Sequence, residues 1–254
     1  MIRLKDVTAG YKGVEVIKNI NIVFKKGSIT SIIGKNGSGK TTLLKTASKL
    51  LKPYSGDIFL NDESIYNIPG KQMAKKISFL PQIRNIPHIS VYNLVIHGRF
   101  PYLGFPRIPR DEDKAKVEHA LEKLEVKRFR DKNVAELSGG QRQKVYIAMI
   151  LAQDTEYIFL DEPTTFLDIN HHLEILEIIK ELKNMGKAVI MVLHDLNSAL
   201  SYSDKICIMD RGELVAYGSP QAVYSSGEIE RIFNVKCDKV YIEGKSQSQY
   251  VFSI

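Results

Sequence analysis

The sequence predicts an α/β fold around a mainly parallel sheet, with an antiparallel β portion and an inserted helical portion. Three observations carry this. Short apolar runs at residues 29–33, 77–80, 157–160 and 188–193 read as buried strands. Helical apolar patterns lie between them. Gly34, Asp161 and His194 stand at the carboxyl ends of three of those runs, where an open α/β sheet places its ligands. The chain has 254 residues and 44% apolar composition, enough for one large or two small cores. One domain over 1–254 is expected, with a core from 1–84 and 156–254 and helices over about 85–155.

In chain order, residues 2–33 alternate strand-like runs with turns at Gly10, Gly13 and Gly27, and Tyr11 falls in the first turn. Ile17, Ile20, Ile22 and Phe24 suggest half-buried strands. The run at 29–33 then meets Gly34-Lys35-Asn36-Gly37-Ser38-Gly39-Lys40-Thr41, and Thr42 continues into a helix. Gly-x4-Gly-Lys-[Ser/Thr] between strand and helix is a phosphate loop. Its glycines let successive backbone N–H groups point inward. The helix behind adds free N–H groups and the positive end of its dipole. Lys40 carries a full charge toward β- and γ-phosphate oxygens. The Thr41 hydroxyl suits Mg²⁺, which prefers oxygen ligands.

A plain turn at 52–57 and a short strand at 58–60 follow. The strand at 77–80 ends at Pro81 and Gln82. Residues 83–111 gather Pro87, Pro101, Pro106 and Pro109 with Tyr92, Phe100, Tyr102 and Phe105. Residues 84–130 hold ten Lys/Arg against six Asp/Glu. The region reads as a mostly helical insert with an exposed, partner-facing loop. Asp111 is expected to cap a helix bearing Val117, Ala120, Leu121 and Leu124 on one stripe.

Leu137-Ser138-Gly139-Gly140-Gln141 opens a further helix, with Ser138 as its N-cap. A glycine-rich helix N-terminus is a second anion cradle. Asp161 and Glu162 end the strand at 157–160. Asp161 can hold Mg²⁺ through its water shell, and Glu162 can polarise an attacking water. After the loop 164–168, Leu173, Leu176, Ile179 and Leu182 recur at helical spacing, with His171 and His172 expected in solvent. His194 and Asp195 end the strand at 188–193, level with Asp161 and Glu162. A strand at 205–209, a hairpin around Gly212 and about 30 residues of small mixed elements complete the chain.

The net charge of +7 favours an anionic partner: nucleotide, nucleic acid or membrane surface. Cys207 and Cys237 have no metal spacing and form no disulfide framework, which fits a reducing compartment. The N-terminus lacks a signal-type apolar core, and no apolar run reaches the roughly 20 residues of a membrane span.

The phosphate loop, Leu137–Gln141, the strand with Asp161-Glu162 and the strand-end His194, in that order, resemble the ATP-binding subunits of ABC transporters over essentially the whole chain. The resemblance implies the P-loop NTPase fold of the ABC ATPases, with ATP and Mg²⁺ as ligands. It casts Tyr11 as the adenine-stacking aromatic and Gly34 to Thr42 as the Walker A loop, with Lys40 on the phosphates and Thr41 on magnesium. Gln82 matches the glutamine that reports on magnesium and water and connects to membrane subunits. Ser138, Gly139, Gly140 and Gln141 match the signature that clamps the γ-phosphate held by a second copy. Asp161 matches the Walker B aspartate, Glu162 the catalytic base, Asp168 the aspartate of the loop across the dimer interface and His194 the switch histidine. Lys35 and Phe166 depart from the commonest pattern, at positions that do not touch the chemistry.

Residues 90–101 and 162–169 look like importers of iron–siderophore complexes, with cobalamin and haem importers close by. The implied partners are a second copy, permease subunits at Gln82 and 83–110, and indirectly a substrate-binding protein, at the cytoplasmic face of the membrane. No nucleic acid is expected. The alternatives are an importer ATPase for another metal chelate or oxyanion, and a soluble ABC ATPase acting on nucleic acid or ribosomes.

Overall fold

The computed structural model describes residues 1–82, 85–241 and 249–254. Its strands are β1 (Ile2–Tyr11), β2 (Val14–Phe24), β3 (Ile29–Ile33), β4 (Ser55–Leu60), β5 (Glu63–Ser64), β6 (Ile77–Leu80), β7 (Tyr157–Asp161), β8 (Ala188–Val192), β9 (Lys205–Asp210), β10 (Glu213–Gly218), β11 (Lys236–Val240) and β12 (Gln249–Ser253). Its helices are α1 (Lys40–Ala47), α2 (Gly70–Met73), α3 (Val91–Ile96), α4 (Asp111–Lys123), α5 (Gly139–Gln153), α6 (Ile169–Asn184), α7 (Leu196–Tyr202), α8 (Pro220–Ser225) and α9 (Glu228–Phe233).

A six-stranded sheet runs β10-β9-β3-β8-β7-β6. Strands β9, β3, β8, β7 and β6 are mutually parallel, and β10 closes one edge antiparallel to β9. The apolar runs form its centre: every residue of β3, β7 and β8 is buried. Successive side chains of a strand face opposite ways, so β7 supplies two cores. Ile158 and Leu160 pack with the helices on either side in sequence, α5 and α6. Tyr157 and Phe159 pack with α1 and the antiparallel sheet β2-β1-β4-β5. The expected α/β fold of a P-loop NTPase is what the chain adopts.

Several local expectations are corrected. Tyr11 is the last residue of β1, paired with Val14, and the turn is Lys12-Gly13. Ile17, Ile20, Ile22 and Phe24 are fully buried. Their uneven spacing reflects register shifts in the β1–β2 ladder and a positive φ at Asn19, which restore the inward face after a slip. Arg110, not Asp111, caps α4; the Asp113 carboxylate accepts from the Arg110 N–H at 3.1 Å. The α4 stripe Val117, Ala120, Leu121 and Leu124 is buried as expected. On α6, Leu176, Ile179 and Leu182 are buried, but Leu173 is 44% exposed. At about 100° per residue, Leu173 and Leu182 point in opposite directions, and Ile175 takes the inward place.

Helices α3, α4 and α5 share the buried contacts Val91, Leu94, Val117, Leu121 and Val145. The buried Arg99 ties this cluster together. Its Nε donates to Asp113 Oδ1 at 2.9 Å, its Nη1 to the Ala152 carbonyl at 2.9 Å, and its guanidinium lies 3.8 Å from the Tyr102 ring centre.

Candidate active site

Four adjacent parallel strands in the order β3-β8-β7-β6 end at one rim. β3 leads into the phosphate loop at Gly34, and the other three deliver polar residues: β8 leads into His194, β7 ends in Asp161 with Glu162 next, and β6 leads into Gln82.

The phosphate loop is a tight backbone ring. Gly34 has φ +154, and a Cβ there would stand 2.2 Å from the Met209 carbonyl oxygen. Gly39 caps α1 in the left-handed region. The Ser38 carbonyl accepts from the Gly212 N–H of the β9–β10 turn at 3.1 Å, so the ring is braced from outside. Lys40 is buried and folds back over the ring, its Nζ donating to the Gly34 and Lys35 carbonyls at 2.8 and 2.9 Å. Burial lowers the Lys40 ammonium from its usual value, against the charges of Glu162 and Asp161. A phosphate placed in the ring would relieve that penalty. Ser38 Oγ is buried and finds no hydrogen-bond partner among the described residues. A buried hydroxyl left in that condition is costly, and a phosphate oxygen would satisfy it. The loop therefore fits a nucleotide phosphate. Thr42 continues the first turn of α1.

The Thr41 hydroxyl donates to Asp161 Oδ1 at 3.0 Å. Burial pushes the Asp161 carboxyl above the usual carboxylate range; the Thr41 bond opposes this and the Glu162 charge adds to it. Two oxygen donors beside a phosphate loop suit Mg²⁺, which keeps several waters and uses few protein ligands.

Glu162 is the most constrained residue of the rim. It holds φ +55, unusual for a non-glycine and typical of functional sites. Its Oε2 accepts from Gln82 Nε2 at 2.7 Å and from the Thr165 hydroxyl at 3.1 Å. Its Oε1 lies 2.6 Å from His194 Nε2. Asn36, Gln82, Glu162, Thr165, Phe166 and His194 border one open cleft of ≈ 560 Å³. The structure thus gathers Asn36, Lys40, Thr41, Gln82, Asp161, Glu162 and His194 in one place. Thr165 was not among the sequence candidates; its hydroxyl three residues after a carboxylate was the available signal.

Other candidates stand apart. Tyr11 is 44% exposed at the end of β1. Ser138 and Gln141 form a reciprocal cap on α5: Ser138 Oγ accepts from the Gln141 N–H at 3.3 Å, and Gln141 Oε1 accepts from the Ser138 N–H at 3.2 Å. Asp168 caps α6, accepting from the His171 N–H at 3.0 Å. His171 and His172 are not free in solvent as expected. His171 Nδ1 sits 2.7 Å from Asp168 Oδ2, and His172 Nε2 sits 2.8 Å from Ser198 Oγ. Phe166 and Ile169 are 95% and 70% exposed and, with Leu173, leave apolar surface beside the cleft.

Residues 17–165 match the family model of the ABC transporter domain. The chain is 41% identical over 238 residues to the achromobactin transport ATP-binding protein of Dickeya dadantii, covering 93% of this chain and 88% of that one. It is 39% identical over 238 residues to the ferric enterobactin transport ATP-binding protein of Escherichia coli, with coverage of 93% and 88%. Among solved structures, cbiO1 from Clostridium perfringens, part of an ABC transporter complex, superposes with TM-score 0.79 at 29% identity over 92% of this chain and 94% of that one. A dimeric bacterial ABC transporter cassette superposes with TM-score 0.76 at 31% identity over 87% and 99%. No helix among the described residues is long and apolar enough to cross a membrane. With its phosphate loop, strand-end carboxylates and relatives of matching length, the chain belongs to the ABC transporter family, as one of its ATP-binding, ATP-hydrolysing subunits.

Proposed function

We propose that this chain powers an importer of a metal chelate, an iron(III)–siderophore complex before cobalamin or haem, by binding and hydrolysing Mg·ATP between two copies of itself. The observation that carries the catalytic part is the convergence of Lys40, Thr41, Asp161, Glu162, Gln82 and His194 on one rim. The siderophore relatives support the substrate class.

In this reading the glycine ring and Lys40 would hold the phosphates, and Thr41 and Asp161 would hold Mg²⁺, which would supply charge neutralisation at the phosphate oxygens. Glu162 takes the proton of the attacking water. Both its oxygens are engaged by Gln82, Thr165 and His194. At least one of these contacts must give way as water enters, which puts Gln82 and His194 in position to gate the base. Ser138 and Gly139 are exposed and no residue of Ser138–Gln141 lines this cleft, which supports the use of that cradle on a nucleotide held by another copy. The apolar Phe166, Ile169 and Leu173 beside the cleft are surface that such a pairing would cover. Permease subunits would dock at Gln82 and the insert, from the cytoplasmic face of the membrane; the helical insert is assigned to about 85–155. Tyr11 would stack on adenine.

Glu162→Gln tests the chemistry. It keeps the side chain's volume and removes the base. Its ATPase kcat is expected to fall about 10²–10⁴-fold while ATP still binds and drives dimerisation. Turnover at the parent rate would refute the assignment.

A further inference from the structure

The first turn of α6 carries two adjacent histidines that face different neighbours. On one side, the N-termini of α5 and α6 are in close contact. Gly140, the second residue of α5, is buried. A Cβ on Gly140 would stand 2.0 Å from His171 Cδ2 and 2.3 Å from its Cγ, and a Cβ on Gly139 would meet Leu167 Cδ2 at 3.8 Å. The His171 ring therefore lies over the bare backbone of the Ser138–Gln141 cradle. Its other face of contact is the Asp168 carboxylate: Nδ1 to Oδ2 is 2.7 Å, and the His171 N–H reaches Oδ1 at 3.0 Å. That carboxylate is held below its usual range by these same bonds.

On the other side, the His172 side chain is 16% exposed and its Nε2 meets Ser198 Oγ at 2.8 Å. The Ser198 hydroxyl donates in turn to Asp195 Oδ2, and the Ser198 N–H reaches the same oxygen at 3.0 Å. Asp195 caps α7 and directly follows His194, whose ring holds Glu162.

We infer that His171 and His172 are positioning residues that couple the two anion sites within one subunit: His171 bolts the Ser138–Gln141 cradle to the Asp168 cap, and His172 ties the same turn of α6 to α7, whose cap Asp195 directly follows His194. Engagement of the cradle by a neighbour's nucleotide is thereby relayed to the subunit's own Glu162 pocket. This rests on the paired reading above. A chain of contacts is a physical route only if perturbing it changes the linkage, and the residues offer a way to do so.

The test uses the full chain in the Glu162→Gln background. Two quantities are read: the protein concentration for half-dimerisation with Mg·ATP, by sedimentation, and the affinity of dilute monomer for a fluorescent ATP analogue. His171→Ala is expected to raise the half-dimerisation concentration roughly five- to tenfold, the worth of one ordinary hydrogen bond, with monomer affinity within about twofold of the parent. His171→Asn places an amide N–H where Nδ1 was and is expected to recover the parent value; His171→Gln places it elsewhere and is expected to behave as alanine. The asparagine and glutamine pair carries the test should the alanine variant not fold.

If the Glu162→Gln parent itself stays monomeric with ATP, the paired reading fails and this inference with it. If the parent dimerises and the alanine variant matches it, the pairing stands and the coupling is overturned. Indistinguishable asparagine and glutamine variants overturn the part given to the Asp168 bond. In the hydrolysing chain, His172→Ala is expected to lower kcat about three- to tenfold with KM for ATP unchanged, again the scale of one hydrogen bond; an unchanged kcat overturns its arm. Finally, Gly140→Ala is expected to lower Tm in the parent and to do so less in His171→Ala, where the ring is gone. Additive shifts would show that the ring does not rest on Gly140.

Discussion

Removing the buried guanidinium of Arg99 should destabilise the chain far more than removing any surface cation. The Arg99 and Asp113 side chains are 7% and 2% exposed and 2.9 Å apart. Arg99→Met deletes that bond, the bond to the Ala152 carbonyl and the stack on Tyr102. Asp113 keeps only the Arg110 N–H among the partners named above. Breaking one side of a buried pair costs about 3–5 kcal/mol, because a charge is left uncompensated out of water. For a chain of this length each kcal/mol moves Tm by roughly 2–4 °C. A fall of at least about 6 °C is therefore expected in a thermal melt followed by circular dichroism. Lys114→Met is the control: its pair with Asp111 is 54% and 99% exposed and should be silent. Arg99→Met combined with Asp113→Asn should recover much of the loss, since the stranded charge is gone. A fall no larger than the Lys114 control, or no recovery in the double variant, would show that the Arg99–Asp113 pair does not hold the helices together.

Two further outcomes follow from the phosphate loop. Gly34→Ala should cost about 1–3 kcal/mol and weaken ATP binding, because its Cβ would press on the Met209 carbonyl; Gly37→Ala, at φ +79 with open space around the new carbon, should cost only about 1 kcal/mol. Melts showing the reverse order would contradict the ring as described. Asp161 sets a pH dependence. Its folded carboxyl titrates above its unfolded value, so its contribution to stability is fully present below the unfolded value and is lost as pH rises through the folded one. At neutral pH the ionised group burdens the ligand-free chain. Asp161→Asn should accordingly leave the ligand-free Tm at pH 7–8 equal or higher and abolish the extra stabilisation that Mg²⁺ adds to ATP. That Mg²⁺ increment should also shrink in the native chain as the buffer is acidified. A lower ligand-free Tm for the variant, or an undiminished Mg²⁺ increment, would overturn this.

The residues legible in the sequence were those whose meaning is local. Lys40 and Thr41 are specified by a fixed spacing of glycines between strand and helix. Asp161, Glu162 and His194 are specified by standing at the ends of fully apolar strands, and parallel pairing of β7 and β8 then brings them together. What stayed hidden depends on contacts between segments distant in sequence. His171 looks like a polar residue at an exposed helix start, yet it packs on Gly140, and His172 reaches Ser198. Neither residue type nor periodicity encodes such a meeting. Leu173 was misplaced because a three-residue spacing drifts round a helix of 3.6 residues per turn. Arg110 could not be found as a cap, since the bond is supplied by Asp113 and Arg is a poor capping type.

On the reading proposed above, the cradle at Ser138 serves a nucleotide held by Lys40 of another copy. A structure of the Glu162→Gln chain loaded with Mg·ATP tests it most directly. The expected result is a pair with Ser138 Oγ about 3 Å from a γ-phosphate oxygen of the nucleotide on the partner's phosphate loop. An ATP-loaded, hydrolysis-competent arrangement that leaves Ser138 far from any neighbour's γ-phosphate would contradict the account.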